Sequence, residues 1–292
     1  MRDYIIMTDS CCDLSQQEVE ELDLTVLPLS FTIEGKTLLN TPDHADMSPE
    51  AFFQKIADGV DCTTAAVNVG QFTDAMEKAL QEGKDILCVC FSSALSTTYQ
   101  SACIAAEDLR EKYPEAKILV IDSLSASRGQ GMLLYRAVRE RREKNLTIDE
   151  LDAYVRSIIQ SQCHWFIVDD LNHLKRGGRV SSTAALVGTM LGIKPVMHTD
   201  SEGRLTPVSK ARGTKAALRA LVDKVGEIGV EPEKNQPMLI CHANCPESVE
   251  YVKGLLKERF SVTDVRDEFI GPVIGAHTGC GTLGLFFVGT ER

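Results

Sequence analysis

The chain has 292 residues, of which 43% are apolar and 25% are charged. This composition is typical of a globular protein and excludes a disordered chain, and no apolar run reaches the ~20 residues that span a bilayer. Lysine and arginine together number 31 against 42 aspartate and glutamate residues, so the formal net charge is −11. Because nucleic-acid binding depends on an excess of positive charge, we expect no nucleic-acid partner.

The N-terminal segment Met1–Ser10 holds a five-residue strand-like run that is followed by acid. A secretory signal needs a basic start and a longer apolar stretch, so we predict a cytoplasmic protein. At about 150 residues per domain, the length predicts two domains.

Strand-like and helical patterns alternate through the first 168 residues. The predicted strands are Tyr4–Met7, Thr25–Ile33, Asp85–Phe91, Lys117–Ile121 and Trp165–Val168. The predicted helical segments are Gly70–Gln81, Ser96–Lys112, one ending at Arg142, Thr147–Gln160 and one ending near Ala57, with an acidic amphipathic stretch at Leu14–Leu22. Ser48 and Pro49 are typical of the N-cap and first position of the helix that ends near Ala57. This alternation predicts a largely parallel sheet flanked by helices.

The pattern changes after Val168, where we place a domain boundary. Lys175–Ser181 is predicted as a turn, followed by an apolar helix of small residues that ends near Leu191. Two short strands flank Asp200–Gly203, which predicts a hairpin and a mixed sheet. The remaining predicted elements are a helix at Thr214–Ile228, a strand at Met238–His242, a helix at Pro246–Arg259 and, after a glycine-rich tail, a strand at Gly284–Val288. The predicted fold class is α/β, with domains at 1–167 and 168–292.

Ten cysteines raise the question of disulfides or a metal site. Cytosolic redox conditions disfavour disulfides, and a zinc site needs paired ligands at short spacing. Cys241 and Cys245 are the best candidates, but no second pair lies near them in sequence, so we predict free thiols, no metal and no cofactor. Gly279–Gly284 matches the dinucleotide fingerprint as a string, yet only eight residues follow it, too few for a βαβ unit. We interpret that match as accidental.

Four segments rich in hydroxyl and carboxyl side chains follow apolar runs. They are Thr8–Ser10, Cys62–Thr64, Ser92–Thr98 and Ile121–Ser127. In a parallel sheet the loops after the strands gather at one edge, where ligands bind. Hydroxyl groups beside helix N-termini suit a carboxylate or a phosphate. The alternative is that each side chain simply caps its own helix.

Two basic runs stand out in this acidic chain. Arg136–Arg142 continues a helical pattern, and we interpret it as a solvated helix face. Lys175–Arg179 lies in the predicted turn, where its cations are either solvated or available to a partner.

Several segments, taken in order, carry a resemblance to a known family. They are Asp9–Leu14, Leu27–Leu29, Ser92–Ala102, Val120–Ser123, Ser127–Gly131, Leu174–Ser181, Gly192–Pro195 and Gly271–Gly279. Together they resemble the DegV family, the fatty-acid-binding proteins that include the FakB subunits of bacterial fatty acid kinase. The resemblance runs nearly end to end.

The resemblance implies a two-domain α/β protein that holds one long-chain fatty acid in a tunnel between the domains. By motif, the carboxylate ligands would be Thr63, Ser96 and His277. A separate ATP-using kinase subunit would then phosphorylate the presented fatty acid, so the chain itself would not be an enzyme. Lys175, Arg176 and Arg179 would contact that partner or the acyl-phosphate. A transient contact with a membrane surface is compatible with this role, and a monomer is the default expectation.

Two departures from the family pattern concern this site. Thr63–Ala66 replaces Thr-Ser-Gln-Pro, and Thr97 replaces a glycine, so we expect a differently shaped turn after Ser96 because β-branched residues disfavour a positive φ. The alternative function is an enzyme or phosphoryl carrier for a small polar substrate, with Ser96 or His277 as nucleophile or phosphoryl acceptor. A long apolar tunnel would favour the carrier, whereas a compact polar cleft would favour the enzyme.

Overall fold

The computed structural model describes residues 2–181 and 192–292, and the helix predicted to end near Leu191 lies outside these ranges. In chain order the strands are β1 Tyr4–Asp9, β2 Leu24–Leu27, β3 Leu29–Ile33, β4 Lys36–Asn40, β5 Cys62–Ala65, β6 Asp85–Cys90, β7 Ile118–Asp122, β8 Gln162–Ile167, β9 Ile193–Thr199, β10 Leu205–Arg212, β11 Met238–His242, β12 Val265–Phe269 and β13 Leu283–Val288. Within the same ranges the helices are α1 Gln16–Leu22, α2 Pro49–Ala57, α3 Val69–Gln81, α4 Thr98–Lys112, α5 Arg128–Lys144, α6 Ile148–Ile158, α7 Leu171–Arg176, α8 Thr214–Ile228, α9 Pro246–Phe260 and α10 Pro272–Thr278.

The N-terminal half contains the predicted parallel sheet. Its strand order is β2-β1-β6-β7, and all three pairings are parallel. Every residue of β6 is buried, as expected of a central strand covered by helices on both faces. The parallel sheet and its flanking helices confirm the α/β prediction for this half.

A second, antiparallel sheet in this half was not predicted. Its order is β4-β3-β5, and β3 alternates buried and partly exposed residues, as expected of a sheet with one face on the core. The single strand predicted over Thr25–Ile33 is therefore wrong. Pro28 separates β2 from β3, because proline has no N–H to donate to a ladder and the chain changes sheet there.

The C-terminal half contains a mixed sheet, as predicted. Its order is β10-β9-β8-β13-β11-β12, in which only β11 and β12 run parallel. The hairpin predicted around Asp200–Gly203 is confirmed by the antiparallel β9–β10 pair. Gly279 and Gly281 lie in the turn from α10 to β13, each with φ of +74°. A dinucleotide fingerprint lies between a strand and the helix that follows it, whereas here a helix precedes the strand. The sequence match to that fingerprint is therefore accidental.

Two short helices replace predicted irregular segments. Helix α7 covers Leu171–Arg176, so Lys175 and Arg176 end a helix and do not lie in a turn; Asp170 caps it by accepting from the Asn172 N–H at 2.9 Å. Helix α10 lies within the predicted glycine-rich tail. A Cβ on Gly275 would lie 2.8 Å from the Phe52 ring, so close packing against α2 explains a glycine that local helix propensity disfavours.

Helix α5 joins the two halves. Its first seven residues are buried, and its Met132 belongs to one hydrophobic cluster with Met7 and Phe31 of the N-terminal half and with Leu239 and Phe286 of the C-terminal sheet. Helix α10 packs against β3 and β5, so a C-terminal helix covers the antiparallel sheet of the N-terminal half. No helix of the described ranges is long and apolar enough to cross a membrane.

Candidate functional site

Three of the four hydroxyl-rich segments meet at one edge of the parallel sheet. The Asp9 carboxylate after β1 accepts from the backbone N–H of Phe91 after β6 at 2.7 Å. The Ser92 N–H in turn donates to the carbonyl of Ser125 after β7 at 2.9 Å. The predicted convergence is confirmed for these loops. It is wrong for Cys62–Thr64, which form strand β5 of the other sheet.

Most hydroxyl groups at this edge bind the protein itself. The Thr8 hydroxyl donates to the Val89 carbonyl at 2.7 Å, and the Ser127 hydroxyl donates to the Asp13 carboxylate at 2.5 Å. The Ser92 hydroxyl donates to the Gly203 carbonyl at 2.9 Å and so attaches the β9–β10 turn to the edge. None of these three hydroxyl groups caps its own helix, so the simpler alternative is wrong for them; they join segments that are 81, 114 and 111 residues apart in the chain.

A cavity of about 470 Å³ opens between the two halves beside these loops. This volume lies within the ~300–1,000 Å³ typical of small-molecule pockets. Its apolar lining includes Leu29, Phe91, Leu95, Leu174, Leu205, Val273 and Ile274. Polar side chains lie on the same lining, among them Thr64, Ser96, Arg179 and His277. We call these four residues the polar cluster. The cavity thus combines an apolar wall with hydroxyl, imidazole and guanidinium groups.

Thr64 and His277 form the central contact of the polar cluster. The Thr64 Oγ1 lies 2.9 Å from His277 Nε2, and the tautomer of the ring decides which group donates. Strand β5 presents Thr64 toward helix α10, whereas Thr63 is exposed. Successive residues of a strand point to opposite faces, and of the two threonines only Thr64 lines the 470 Å³ cavity. Thr63 instead lines a neighbouring cavity of about 440 Å³, to which Thr64, Arg179 and His277 also contribute.

His277 is held as a neutral imidazole. Burial, and then the positive charge of Arg179, lower the pKa of His277 to about 4. The ring packs directly on Gly177 at the end of α7, where a Cβ would lie 2.1 Å from His277 Nδ1. A glycine at position 177 is therefore required by the close approach of α7 and α10.

Arg179 is the cation of the polar cluster. Its side chain is partly buried, and the burial lowers its pKa. Its Nε donates to the Leu95 carbonyl at 3.1 Å, and its Nη1 donates to the Gly177 carbonyl. In the described ranges no carboxylate lies within 4.0 Å of the guanidinium, although arginine commonly pairs with carboxylate or phosphate when buried. The cavity thus contains a positive charge without a protein counter-ion among these residues.

Ser96 lines the same cavity at the N-terminus of α4. Its hydroxyl lies 2.9 Å from the Thr98 Oγ1 and accepts from the Thr98 N–H at 3.2 Å. Thr97 has φ of −79°, so this β-branched residue avoids a positive φ, as expected. A turn shaped differently from the family's glycine turn stays a prediction. In the described part of the chain no hydrogen bond joins Ser96 to His277, so the structure does not assemble a serine–histidine nucleophile.

The other two cations of the basic run point elsewhere. Lys175 and Arg176 are both exposed, and the Arg176 guanidinium lies 3.0 Å from His173 Nδ1. Arg176 lines the 440 Å³ cavity, while Arg179 lines both cavities. The sequence analysis grouped these three cations, but Lys175 and Arg176 lie on the exposed surface, whereas Arg179 belongs to the polar cluster.

Sequence reasoning missed Thr64 as a cavity residue. In a strand, alternate residues point to the same face, and this rule would have separated Thr64 from Thr63. We predicted Cys62–Thr64 as a turn, to which the rule does not apply.

No group of three or more metal-binding side chains occurs in residues 2–181 and 192–292. All ten cysteines are free, and burial raises the pKa of the Cys241 thiol to about 12 and of the Cys245 thiol to about 11.

The fold and the cavity define an α/β protein with a small-molecule pocket between two sheet-containing halves. The chain belongs to the DegV family, since the family model described as "Uncharacterised protein, DegV family" matches residues 4–290. The DegV domain-containing protein CPE0026 of Clostridium perfringens is 40% identical over 292 residues, which are 100% of this chain and 99% of that protein. The resemblance found in the sequence motifs is thereby confirmed.

Solved structures of other family members share the fold. One is described as fatty acid binding of a DegV family protein from Thermus thermophilus; it is 28% identical, with a TM-score of 0.86 over 99% of this chain and 100% of that chain. Another is the hypothetical protein TM841 from Thermotoga maritima, described as revealing fatty acid binding function; it is 27% identical, with a TM-score of 0.83 over 99% and 100% of the two chains.

Proposed function

We propose that this protein binds a long-chain fatty acid, with its carboxylate at the polar cluster and its acyl chain along the apolar wall of the 470 Å³ cavity. The observation that carries the proposal is Arg179, a partly buried guanidinium that faces an apolar cavity without a carboxylate partner in the described ranges. A ligand carboxylate would supply the missing negative charge and reduce the cost of burying the cation. The fatty-acid-binding relatives from Thermus and Thermotoga support this choice of ligand.

Each member of the polar cluster has a separate role in this proposal. Arg179 neutralises the carboxylate. The neutral His277 ring, protonated at Nε2, donates to Thr64 Oγ1, and this leaves the Thr64 hydroxyl hydrogen to donate to a carboxylate oxygen. Ser96 contributes its hydroxyl from the α4 terminus. The acyl chain supplies most of the affinity, at about 0.8 kcal/mol for each buried methylene. Thr63, the threonine that the family motif suggested, is exposed and lies outside this cluster.

The first test is to purify the protein, denature it and identify the released lipid by mass spectrometry. We expect a near-stoichiometric long-chain fatty acid. A protein that is purified empty and also fails to take up added fatty acid would overturn the proposal. That result would favour the alternative function, in which a small polar or phosphorylated substrate binds at the same edge of the sheet.

A charge test separates carboxylate binding from simple apolar burial. Arg179→Gln should weaken fatty-acid binding about tenfold to a hundredfold, because a hydrogen bond to a charged group contributes ~1.5–3 kcal/mol. The same variant should bind a fatty alcohol of equal length as well as the unaltered protein does. Arg179→Lys, which keeps the charge, should recover part of the fatty-acid affinity. If calorimetry shows that the variant loses equal affinity for the fatty acid and for the fatty alcohol, Arg179 has a structural role only.

We further propose that the bound fatty acid is presented to a separate kinase, which forms the acyl-phosphate. The neutral His277, the absence of a Ser96–His277 hydrogen bond in the described ranges and the exposed Lys175 and Arg176 support a presenting role. In an assay with the fatty acid kinase catalytic subunit and ATP, Lys175→Gln/Arg176→Gln should slow acyl-phosphate formation and leave fatty-acid affinity unchanged. An unchanged rate would remove these two residues from the partner surface.

A further inference from the structure

A second cavity, which we call the arginine-rimmed cleft, lies beside helix α5. Its volume is about 540 Å³, larger than that of the cavity assigned to the fatty acid. Among the described residues, the two cavities share none of their lining. The cleft lies between α5 with the end of α1 on one side and the C-terminal sheet on the other. It is therefore a separate pocket between the same two halves of the molecule, a location typical of ligand sites.

The floor of the cleft is apolar and its rim is basic. Leu22, Met132, Val138, Leu239 and Val288 contribute apolar side chains. Arg136, Arg139, Arg142 and Arg266 contribute guanidinium groups. Residues three apart share one face of a helix, so the first three of these arginines follow the cleft along α5. Arg139 and Arg142 are exposed, as expected of a solvated helix face, and all three arginines also line the cleft.

Two of the four arginines lack an acidic partner. Arg139 pairs with Glu143 at 3.8 Å, and Arg266 pairs with Asp264 at 3.3 Å. By contrast, Arg136 donates to the Ser161 hydroxyl at 3.2 Å and Arg142 donates to the Glu21 backbone carbonyl at 2.7 Å. Both acceptors are neutral oxygens.

The charge of Arg136 and Arg142 is thus left without a protein counter-ion. Within the described part of the chain, neither guanidinium has a carboxylate within 4.0 Å. Two such positive charges beside an apolar floor are notable in a chain whose net charge is −11. Arginine presents a planar fork of donors that matches carboxylate and phosphate groups.

We propose that the arginine-rimmed cleft binds a small anionic amphiphile. Its carboxylate or phosphate headgroup contacts Arg136 and Arg142, and its apolar body covers the floor around Leu22 and Val138. Glu21 and Glu143 also line the cleft, but the Glu21 carboxylate accepts from Gln17 at 2.8 Å and Glu143 pairs with Arg139, so neither contact involves Arg136 or Arg142. The described lining residues of the cleft are separate from those of the fatty-acid cavity, and the test fills that cavity beforehand so that the probes report on the cleft.

The test uses isothermal titration calorimetry with four probes on the full-length protein, previously saturated with fatty acid. The probes are octyl phosphate, octanoate, octyl glucoside as the neutral amphiphile and inorganic phosphate as the headgroup alone. We expect at least one of the two anionic amphiphiles to bind about tenfold more tightly than either of the last two, and its binding to weaken with added salt. The stronger of the two anionic probes identifies the headgroup. Equal binding of all four probes, or binding of inorganic phosphate as tight as that of octyl phosphate, would overturn the proposal.

The location is tested with matched arginine variants. Arg136→Gln/Arg142→Gln should weaken the binding of the anionic amphiphile about tenfold or more, because charge-assisted hydrogen bonds are lost. Arg219→Gln is the control, since the Arg219 guanidinium, like that of Arg142, donates to a backbone carbonyl, that of Lys215, and Arg219 is not among the residues that line the cleft. Unchanged binding by the double variant, with fatty-acid uptake intact, would place the probe elsewhere and remove the cleft as its site.

Discussion

At the scale of single residues, the site depends on which of two adjacent threonines faces the cavity. Strand β5 turns Thr64 toward His277 and leaves Thr63 exposed. The family motif pointed to Thr63, because a sequence motif does not show which face of a strand a residue occupies. The sequence also does not show which carboxyl groups are buried. Asp13 is one of them, and its burial affects how the stability of the protein depends on pH.

The threonine pair offers a matched test. Thr64→Val should weaken fatty-acid binding about three- to tenfold, because one neutral hydrogen bond contributes ~0.5–1.5 kcal/mol and the substitution preserves shape. Thr63→Val should leave the affinity unchanged. Titration of both variants with the same fatty acid checks the assignment, and the reverse pattern would restore Thr63 as the ligand residue.

Asp13 should make the protein less stable as the pH rises. Its buried carboxylate accepts from the Ser127 hydroxyl and from the Gly271 N–H, yet burial raises its pKa to about 7. The unfolded-state pKa is about 3.9, so the folded protein binds the extra proton between these values. The stabilisation is present below the unfolded pKa and is lost as pH rises to about 7, at up to about 1.4 kcal/mol per pH unit.

Urea unfolding at several pH values between about 5 and 8 measures this effect. Asp13→Asn keeps an acceptor for Gly271 and a hydrogen-bonding group for Ser127, so it should lose less stability over this interval than the unaltered protein does. Asp74→Asn, at an exposed position of α3, is the control and should retain the original pH dependence. If Asp13→Asn also retained it, the raised pKa would be contradicted.

At the scale of elements, two short helices position the polar cluster. Helix α10 carries His277, and the end of α7 supplies the glycine on which that ring packs. Local patterns for both are weak, because one contains an internal glycine and the other has only six residues. Longer helices such as α8 were predicted to the residue, since their apolar periodicity continues over several turns.

The contact between these helices can be tested with adjacent glycines. Gly177→Ala should displace the His277 ring, lower the stability and weaken fatty-acid binding, because its Cβ would overlap Nδ1. Gly178→Ala meets no atom within 4 Å but has φ of +73°, so it should destabilise the fold by about 1–2 kcal/mol and keep the affinity. Binding and thermal unfolding of both variants separate the two effects; equal affinities would rule out a positioning role for Gly177.

At the scale of the whole molecule, the two halves share a core. The cluster that contains Met7, Phe31 and Met132 also contains Leu239 and Phe286 of the C-terminal sheet. Strand β8, Gln162–Ile167, lies in the C-terminal sheet, so the two sheets separate before Gln162 and not between 167 and 168, where the sequence analysis placed the boundary. Apolar burial is shared across this separation. Shared burial of apolar surface couples the stability of the two halves.

We accordingly expect one cooperative unfolding transition. Trp165, the single tryptophan, lies in β8 and reports on the C-terminal sheet, whereas far-ultraviolet circular dichroism reports on both halves. The two probes should give coincident midpoints in urea, and fatty acid should raise both together. Separate midpoints would show that the C-terminal sheet, which includes β8, unfolds independently of the N-terminal half, and would contradict the prediction made from the shared core.

The sequence by itself determined the α/β class, the caps such as Ser48, the β9–β10 hairpin and the family motifs. These features depend on neighbours a few residues apart, through backbone hydrogen bonds and apolar periodicity. Only the tertiary structure decided that Thr64 meets His277, that Arg179 turns inward and that Arg136 and Arg142 line a cleft. The Thr64–His277 contact joins residues 213 positions apart. Such contacts arise when packed sheets and helices bury their apolar faces together, which no local pattern specifies.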